Sequence, residues 1–209
     1  QDGHTARLFV CGDVMTGRGI DQVMPSPVHP RLQEPYITDA RDYVKLAERV
    51  NGPIQRPVDP AYVWGEALSV LAQAAPDARI INLETAITDD GEPWPRKGIH
   101  YRMHPANASL LQAASIDCCA LANNHVLDWG YDGLAETLST LEHADIKAAG
   151  SGRNIRAASQ PAIIDLRDKG RVIVSAWAHA SSGVPPEWTA TSNRPGVNRL
   201  DNLTPDAVQ

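Results

Sequence analysis

The chain has 209 residues, 43% of them hydrophobic and 21% charged, a balance that suits one folded domain with a sizeable core and excludes a disordered tail or fibrous repeat. Its formal charge is -6, with no Lys/Arg-rich stripe, so its long-range field repels a phosphate backbone and nucleic acid is not an expected partner. No apolar run approaches the roughly 18 to 20 residues of a membrane span, and Gln1 to Arg7 lack the basic and apolar regions of a signal peptide.

In chain order, Ala6 to Val14 is a short apolar run closed by Gly12 and Asp13 and reads as a buried strand. The proline-rich stretch from Pro25 to Pro35 reads as a surface loop. Asp39 to Val50 and Trp64 to Ala75 carry helical spacing, the second introduced by Asp59-Pro60 and ended near Pro76. Arg79 to Thr85 predicts a second strand with Asn82 and Glu84 at its exit, and Asp89 to Gly98 a loop rich in glycine and proline. Ala106 to Ala114 reads as a helix and Asp117 to Ala122 as a third strand leading into Asn123, Asn124 and His125. Tyr131 to Ala144 is amphipathic, with Leu134, Leu138 and Leu141 on one face. Ile163 to Leu166 and Val172 to Ala178, joined at Asp168-Lys169-Gly170, predict a hairpin.

Alternating strands and helices without a repeat predict a layered α/β fold around a sheet. The three cysteines, Cys11, Cys118 and Cys119, all sit in strand-like runs. Adjacent strand residues face opposite ways, so Cys118 and Cys119 are expected as buried free thiols, which favours a reducing compartment. A leader or anchor lost before Gln1 would leave an extracytoplasmic, membrane-associated location as the alternative.

Ligands of such sheets gather beyond the carboxyl ends of the strands. Asp13, Glu84, Asn124 and His125 all stand at strand exits, where two carboxylates, a carboxamide and an imidazole suit a divalent ion such as Mn, Fe or Zn. Each has a plainer reading: a turn or cap for Asp13, an arginine partner for Glu84, a simple turn for Asn123 and Asn124, and a satisfied polar residue for His125. Arg18, Lys97 and Arg102 lie in loops near this edge, where they could hold carboxylates or phosphates or could be solvated surface charge; Asn123 is a further candidate for substrate contact.

The segments Gly12-Asp13-Val14-Met15-Thr16-Gly17-Arg18, Asn82-Leu83-Glu84-Thr85 and Ala122-Asn123-Asn124-His125-Val126-Leu127-Asp128-Trp129-Gly130 resemble the ordered motifs of bacterial capsule synthesis proteins of the poly-γ-glutamate type. Lys97 to Pro105 and Gly150 to Asn154 are similar to further segments of that family, and the resemblance spans roughly residues 7 to 165. It implies a fold related to calcineurin-like metallophosphoesterases, an anionic polymer or phosphate-containing substrate, divalent metal ions and a membrane-bound capsule-synthesis complex as partner. It implies that Asp13 and Asn124 bind metal, that Glu84 stands in the place of a bridging carboxylate, and that His125 donates a proton or stabilises the transition state. The sequence departs from the phosphoesterase pattern at Met15 and Val126 and has no G-H-x-H segment up to Gln209. The expected domain is therefore a single one lacking its C-terminal part, with an incomplete metal site, and the stretch after Trp188, with Pro195 and Pro205, is expected to lead into that part.

Overall fold

The computed structural model describes residues 5–202 and 204. Gln1 to His4 and Pro205, on which part of the reading above fell, lie outside the described residues. The chain runs through β1 (Leu8–Val14), α1 (Arg18–Val23), α2 (Arg41–Asn51), α3 (Ala67–Ala74), β2 (Ala78–Leu83), β3 (Ala86–Ile87), β4 (Arg102–Met103), α4 (Ser109–Ala113), β5 (Cys118–Ala120) and α5 (Gly130–His143). It continues through β6 (Lys147–Ala149), β7 (Ser151–Gly152), α6 (Ile155–Ala158), β8 (Ala162–Asp165), β9 (Arg171–Val174) and β10 (Gly196–Val197).

The fold is α/β. Four parallel strands form the central sheet in the order β1-β2-β5-β6. Each passage from one strand to the next carries helix, so every crossover lies over one face, as right-handed connections in a parallel sheet require. On that face Ile81 and Leu83 of β2 and Cys119 of β5 join Val44 of α2, Leu110 and Leu111 of α4, and Leu134 and Leu141 of α5 in one apolar core. The opposite face carries Ala78, Ile80, Cys118 and Ala149, covered by Ala162, Ile164 and Leu166 of the β8–β9 hairpin. Cys118 and Cys119 thus lie on opposite faces as free thiols, while Cys11 is only half-buried. The hairpin leaves β1 uncovered, where Val10 is 68% exposed.

One irregularity positions the site. Cys11 pairs with Ile81 but Asp13 pairs with Asn82, so Gly12 is an extra residue in β1. Without that bulge Asp13 would stand opposite Leu83 and share its buried side; with it, Asp13 takes the side of Asn82.

Several boundaries differ from expectation for physical reasons. The helix expected from Trp64 begins at Ala67 after a 3-10 turn at Tyr62–Trp64, and the one expected from Ala106 opens with a 3-10 turn at Pro105–Ala108. Arg18 opens α1 and Arg102 lies in β4, so neither is in a loop. Among the described residues, no helix is long and apolar enough to cross a membrane.

Candidate functional site

The carboxyl ends of β1, β2 and β5 bring their polar side chains into one connected cluster. The Asn82 amide of β2 donates to Asp13 Oδ1 at 2.7 Å. Asn123, buried in the turn after β5, donates to Asn82 Oδ1 at 3.0 Å and to the Leu83 carbonyl at 2.9 Å, and accepts from the His125 backbone N–H at 3.0 Å. Its amide therefore latches the β5 turn onto the end of β2, and its hydrogen-bonding groups are directed inward. Glu84 follows β2, its N–H bonded to the Val14 carbonyl at 3.0 Å, which fixes its side chain beside Asp13.

Asp13 and Glu84 lie close enough for their carboxyl groups to couple, so that a proton on one can be shared with the other. Burial pushes the Glu84 carboxyl up to about 7, and the bond to Asp13 and its charge push the same way. Asp13 lies below the usual carboxylate range because it accepts from Glu84 and Asn82. The two shifts are one statement: the pair holds its shared proton on Glu84.

His125 Nε2 lies 3.5 Å from Glu84 Oε1. Its Nδ1 lies 2.6 Å from Asp128 Oδ2 and 3.2 Å from Lys97 Nζ. A carboxylate only accepts and an ammonium only donates, so Nδ1–H donates to Asp128 while Lys97 pairs with Asp128 Oδ1 at 2.8 Å and donates to the Ile99 carbonyl at 2.7 Å. Asp128 is fully buried and also accepts from the Tyr101 N–H at 2.7 Å. This arrangement fixes one imidazole tautomer and presents Nε2 to the carboxylate pair.

The family follows from the same stretch of chain: residues 7–208 match the bacterial capsule synthesis protein PGA_cap. The chain belongs to that family. It is 52% identical over 190 residues to the "Probable polyglutamine synthesis accessory protein" of Mycobacterium tuberculosis, covering 91% of this chain and 50% of the relative. It is 33% identical over 135 residues to an uncharacterised protein of Sinorhizobium fredii, covering 60% of this chain and 29% of that one. The chain spans about half the length of the mycobacterial relative, or less for the rhizobial one.

Within this capsule synthesis domain the predicted site residues divide. Asp13, Glu84, His125, Asn123 and Lys97 meet, the last two facing inward. Asn124 packs against Gly183 of the loop after β9, and among the described residues its side chain makes no hydrogen bond. Arg18 pairs with buried Glu34 at 2.5 Å and lies between the Tyr43 and Tyr101 rings. Arg102 stacks over Trp129, 3.7 Å from the ring centroid, and among the described residues makes no ion pair. Sequence reasoning missed Asn82, Tyr101 and the role of Asp128. Only Asp128 had a visible signal, its i, i+3 spacing from His125.

The donors at this edge test the expected divalent metal. Asp13 and Glu84 supply adjacent oxygens with His125 Nε2 beside them, the donor types a borderline divalent ion takes. Among the described residues, however, no group of three or more His, Cys, Asp or Glu side chains is arranged to hold a metal. The carboxylate pair fits one side of a metal site, and the described residues do not close it.

Proposed function

We propose that this cluster is a reaction centre of capsule or poly-glutamate synthesis or processing, acting on an anionic polymer or phosphate-containing substrate. One observation carries the reading: His125 is held by buried Asp128 so that Nε2 faces Glu84 of the Asp13–Glu84 pair. Asp128 stabilises the imidazolium that forms when Nε2 takes a proton, and Lys97 keeps Asp128 in its accepting position. Nε2 can then give that proton to a leaving oxygen, the ordinary work of an acid/base histidine. Asp13 and Glu84 are the residues that would hold a divalent ion. Such an ion, when bound, supplies polarisation of a substrate oxygen and neutralises its charge.

A second reading, a binding or assembly subunit working within a membrane-bound synthesis complex, is favoured by the absence of a three-ligand metal group among the described residues and by the word "accessory" in the mycobacterial relative's name. The two are separated by turnover of bis-p-nitrophenyl phosphate and of a γ-linked glutamate oligomer with Mn added. On the enzyme reading, His125→Ala lowers turnover by about 10² to 10⁴ with the fold intact. Activity unchanged by His125→Ala, or no turnover of either probe by the unaltered protein, removes it in favour of the binding reading.

A further inference from the structure

The acid/base reading explains what holds the Nδ1 edge of His125 but not what fixes the plane of its ring. A hydrogen bond to Asp128 leaves the imidazole free to swing about that axis, and a swing would carry Nε2 away from Glu84. The face of the ring is covered by Tyr101, whose ring lies 4.1 Å away at an interplanar angle of 23°, a parallel stack. Tyr101 is itself fixed at two points. Its backbone N–H donates to Asp128 Oδ2, the oxygen that accepts from His125. Its ring packs against the Arg18 guanidinium, 4.7 Å from the centroid.

Arg18 is locked in turn. It lies 4.9 Å from the Tyr43 centroid and pairs with Glu34, whose side chain is fully buried. Glu34 also accepts from the Tyr43 hydroxyl at 2.7 Å. Tyr43, Arg18, Tyr101 and His125 thus form one stacked column from α2 to the β5 turn. Planar guanidinium and aromatic faces hold such columns without needing hydrogen bonds between the layers. The Tyr101 hydroxyl makes no hydrogen bond among the described residues, so its ring is the part that acts.

We infer that Tyr101 is a positioning residue for His125, with Arg18 as its backing, so that the column holds Nε2 toward the Asp13–Glu84 pair. The inference deepens the acid/base reading of His125 and rests on it for its functional meaning. It also gives Arg18 a task other than binding substrate charge.

The test is nitrogen-15 NMR of the imidazole in the whole chain, comparing the unaltered protein with Tyr101→Phe, Tyr101→Leu and Arg18→Lys. Phe keeps the stacking face, Leu removes it, and Lys keeps a charge for Glu34 while losing the planar face. The unaltered protein and Tyr101→Phe should show a single Nδ1–H tautomer for His125. Tyr101→Leu should keep the Nδ1–H tautomer that Asp128 fixes but show exchange-broadened His125 ring signals, with thermal unfolding close to that of the unaltered protein, and Arg18→Lys the same broadening to a smaller degree. Where turnover is measurable, Tyr101→Leu should lower kcat about tenfold or more at unchanged KM, with Tyr101→Phe restoring it. His125 ring signals as sharp in Tyr101→Leu as in the unaltered protein overturn the inference. Should Tyr101→Leu fail to fold, a signal in Arg18→Lys identical to the unaltered one overturns it. Absence of turnover in the unaltered protein counts against the reaction-centre reading alone, because the ring signal is read without any substrate.

Discussion

Replacing Glu84 by Gln tests the proton shared between the two site carboxyls. Gln is a neutral isostere whose amide can still donate to Asp13, so it mimics protonated Glu84 at every pH. The ordinary value for Glu84 is 4.5, and in the folded protein burial and the Asp13 neighbour push it to about 7. Between those values the unfolded chain releases a proton that the folded chain keeps. The contribution of Glu84 to stability is therefore full below pH 4.5 and declines as pH rises toward 7, where it levels off. Linkage makes the cost of keeping Glu in place of a permanently neutral group about 0.8 kcal/mol at pH 5 and about 3 kcal/mol at pH 8. Asp13 shifts the other way, below its ordinary 3.8; its stabilisation is present above that value and lost only at lower pH, so it drops out of the comparison. For a chain of this size about 2 kcal/mol of difference is worth roughly 4 to 8 °C in Tm. Thermal unfolding of Glu84→Gln and the unaltered protein, both in EDTA so that no ion competes for the carboxylates, should show the variant more stable, by a margin several-fold larger at pH 8 than at pH 5. Equal margins at the two pH values, or a less stable variant at pH 8, would refute the shared proton.

Two further measurements probe the frame. Gly150 leaves β6 at φ +92, and a Cβ there would lie 2.7 Å from Ala122 Cβ and 2.8 Å from Ala176 Cβ, so Gly150→Ala should destabilise by about 3 kcal/mol or more in urea unfolding through strain and overpacking together; a loss under about 1 kcal/mol would show that the β6 exit can relax. Burial pushes the Cys118 thiol up to about 11 and the Cys119 thiol higher still, so a thiol reagent at pH 8 should label Cys11 alone in the native protein and all three cysteines in guanidinium; rapid native labelling of Cys118 or Cys119 would contradict the two-faced sheet.

The parts of the fold legible in the sequence are those whose periodicity reports burial directly. Leu134 and Leu141 of α5 are fully buried, and the alternation of Ile163 and Ile164 reads out as an outer and an inner face of the hairpin. The missed elements lack such a signal. Lys147–Ala149 has no β-branched residue and becomes a strand because β5 offers it an open edge. Helix α1 has six residues with Gly19 inside it, a poor helix former. It is held from outside, where buried Asp21 accepts from the N–H groups of Val28 and His104 and from the Asn107 amide, and where Gly19 allows Tyr43 to approach closely.

At the site, the strand exits announced Asp13, Glu84 and His125, because polar residues after apolar runs are placed by topology alone. The basic residues show the limit of that logic. Sequence reveals a cation but not whether its charge is already spent, and the partner is a matter of tertiary approach. Arg18 meets Glu34 from a proline-rich loop, Lys97 meets Asp128 across the β5 turn, and Arg102 lies on Trp129. Arg18 and Lys97 are each held by a carboxylate and Arg102 by a ring face alone, while Asp13 stands exposed at the edge beside Glu84. On the proposed function, an anionic substrate approaching that edge meets a carboxylate pair, and Lys97 beside it is already paired with Asp128. One proton on two carboxyls still leaves a negative charge, so the substrate's charge must be offset at the pair by a divalent ion with ligands beyond the described residues. That requirement comes from the pairing of Arg18 and Lys97, which spacing along the chain does not reveal.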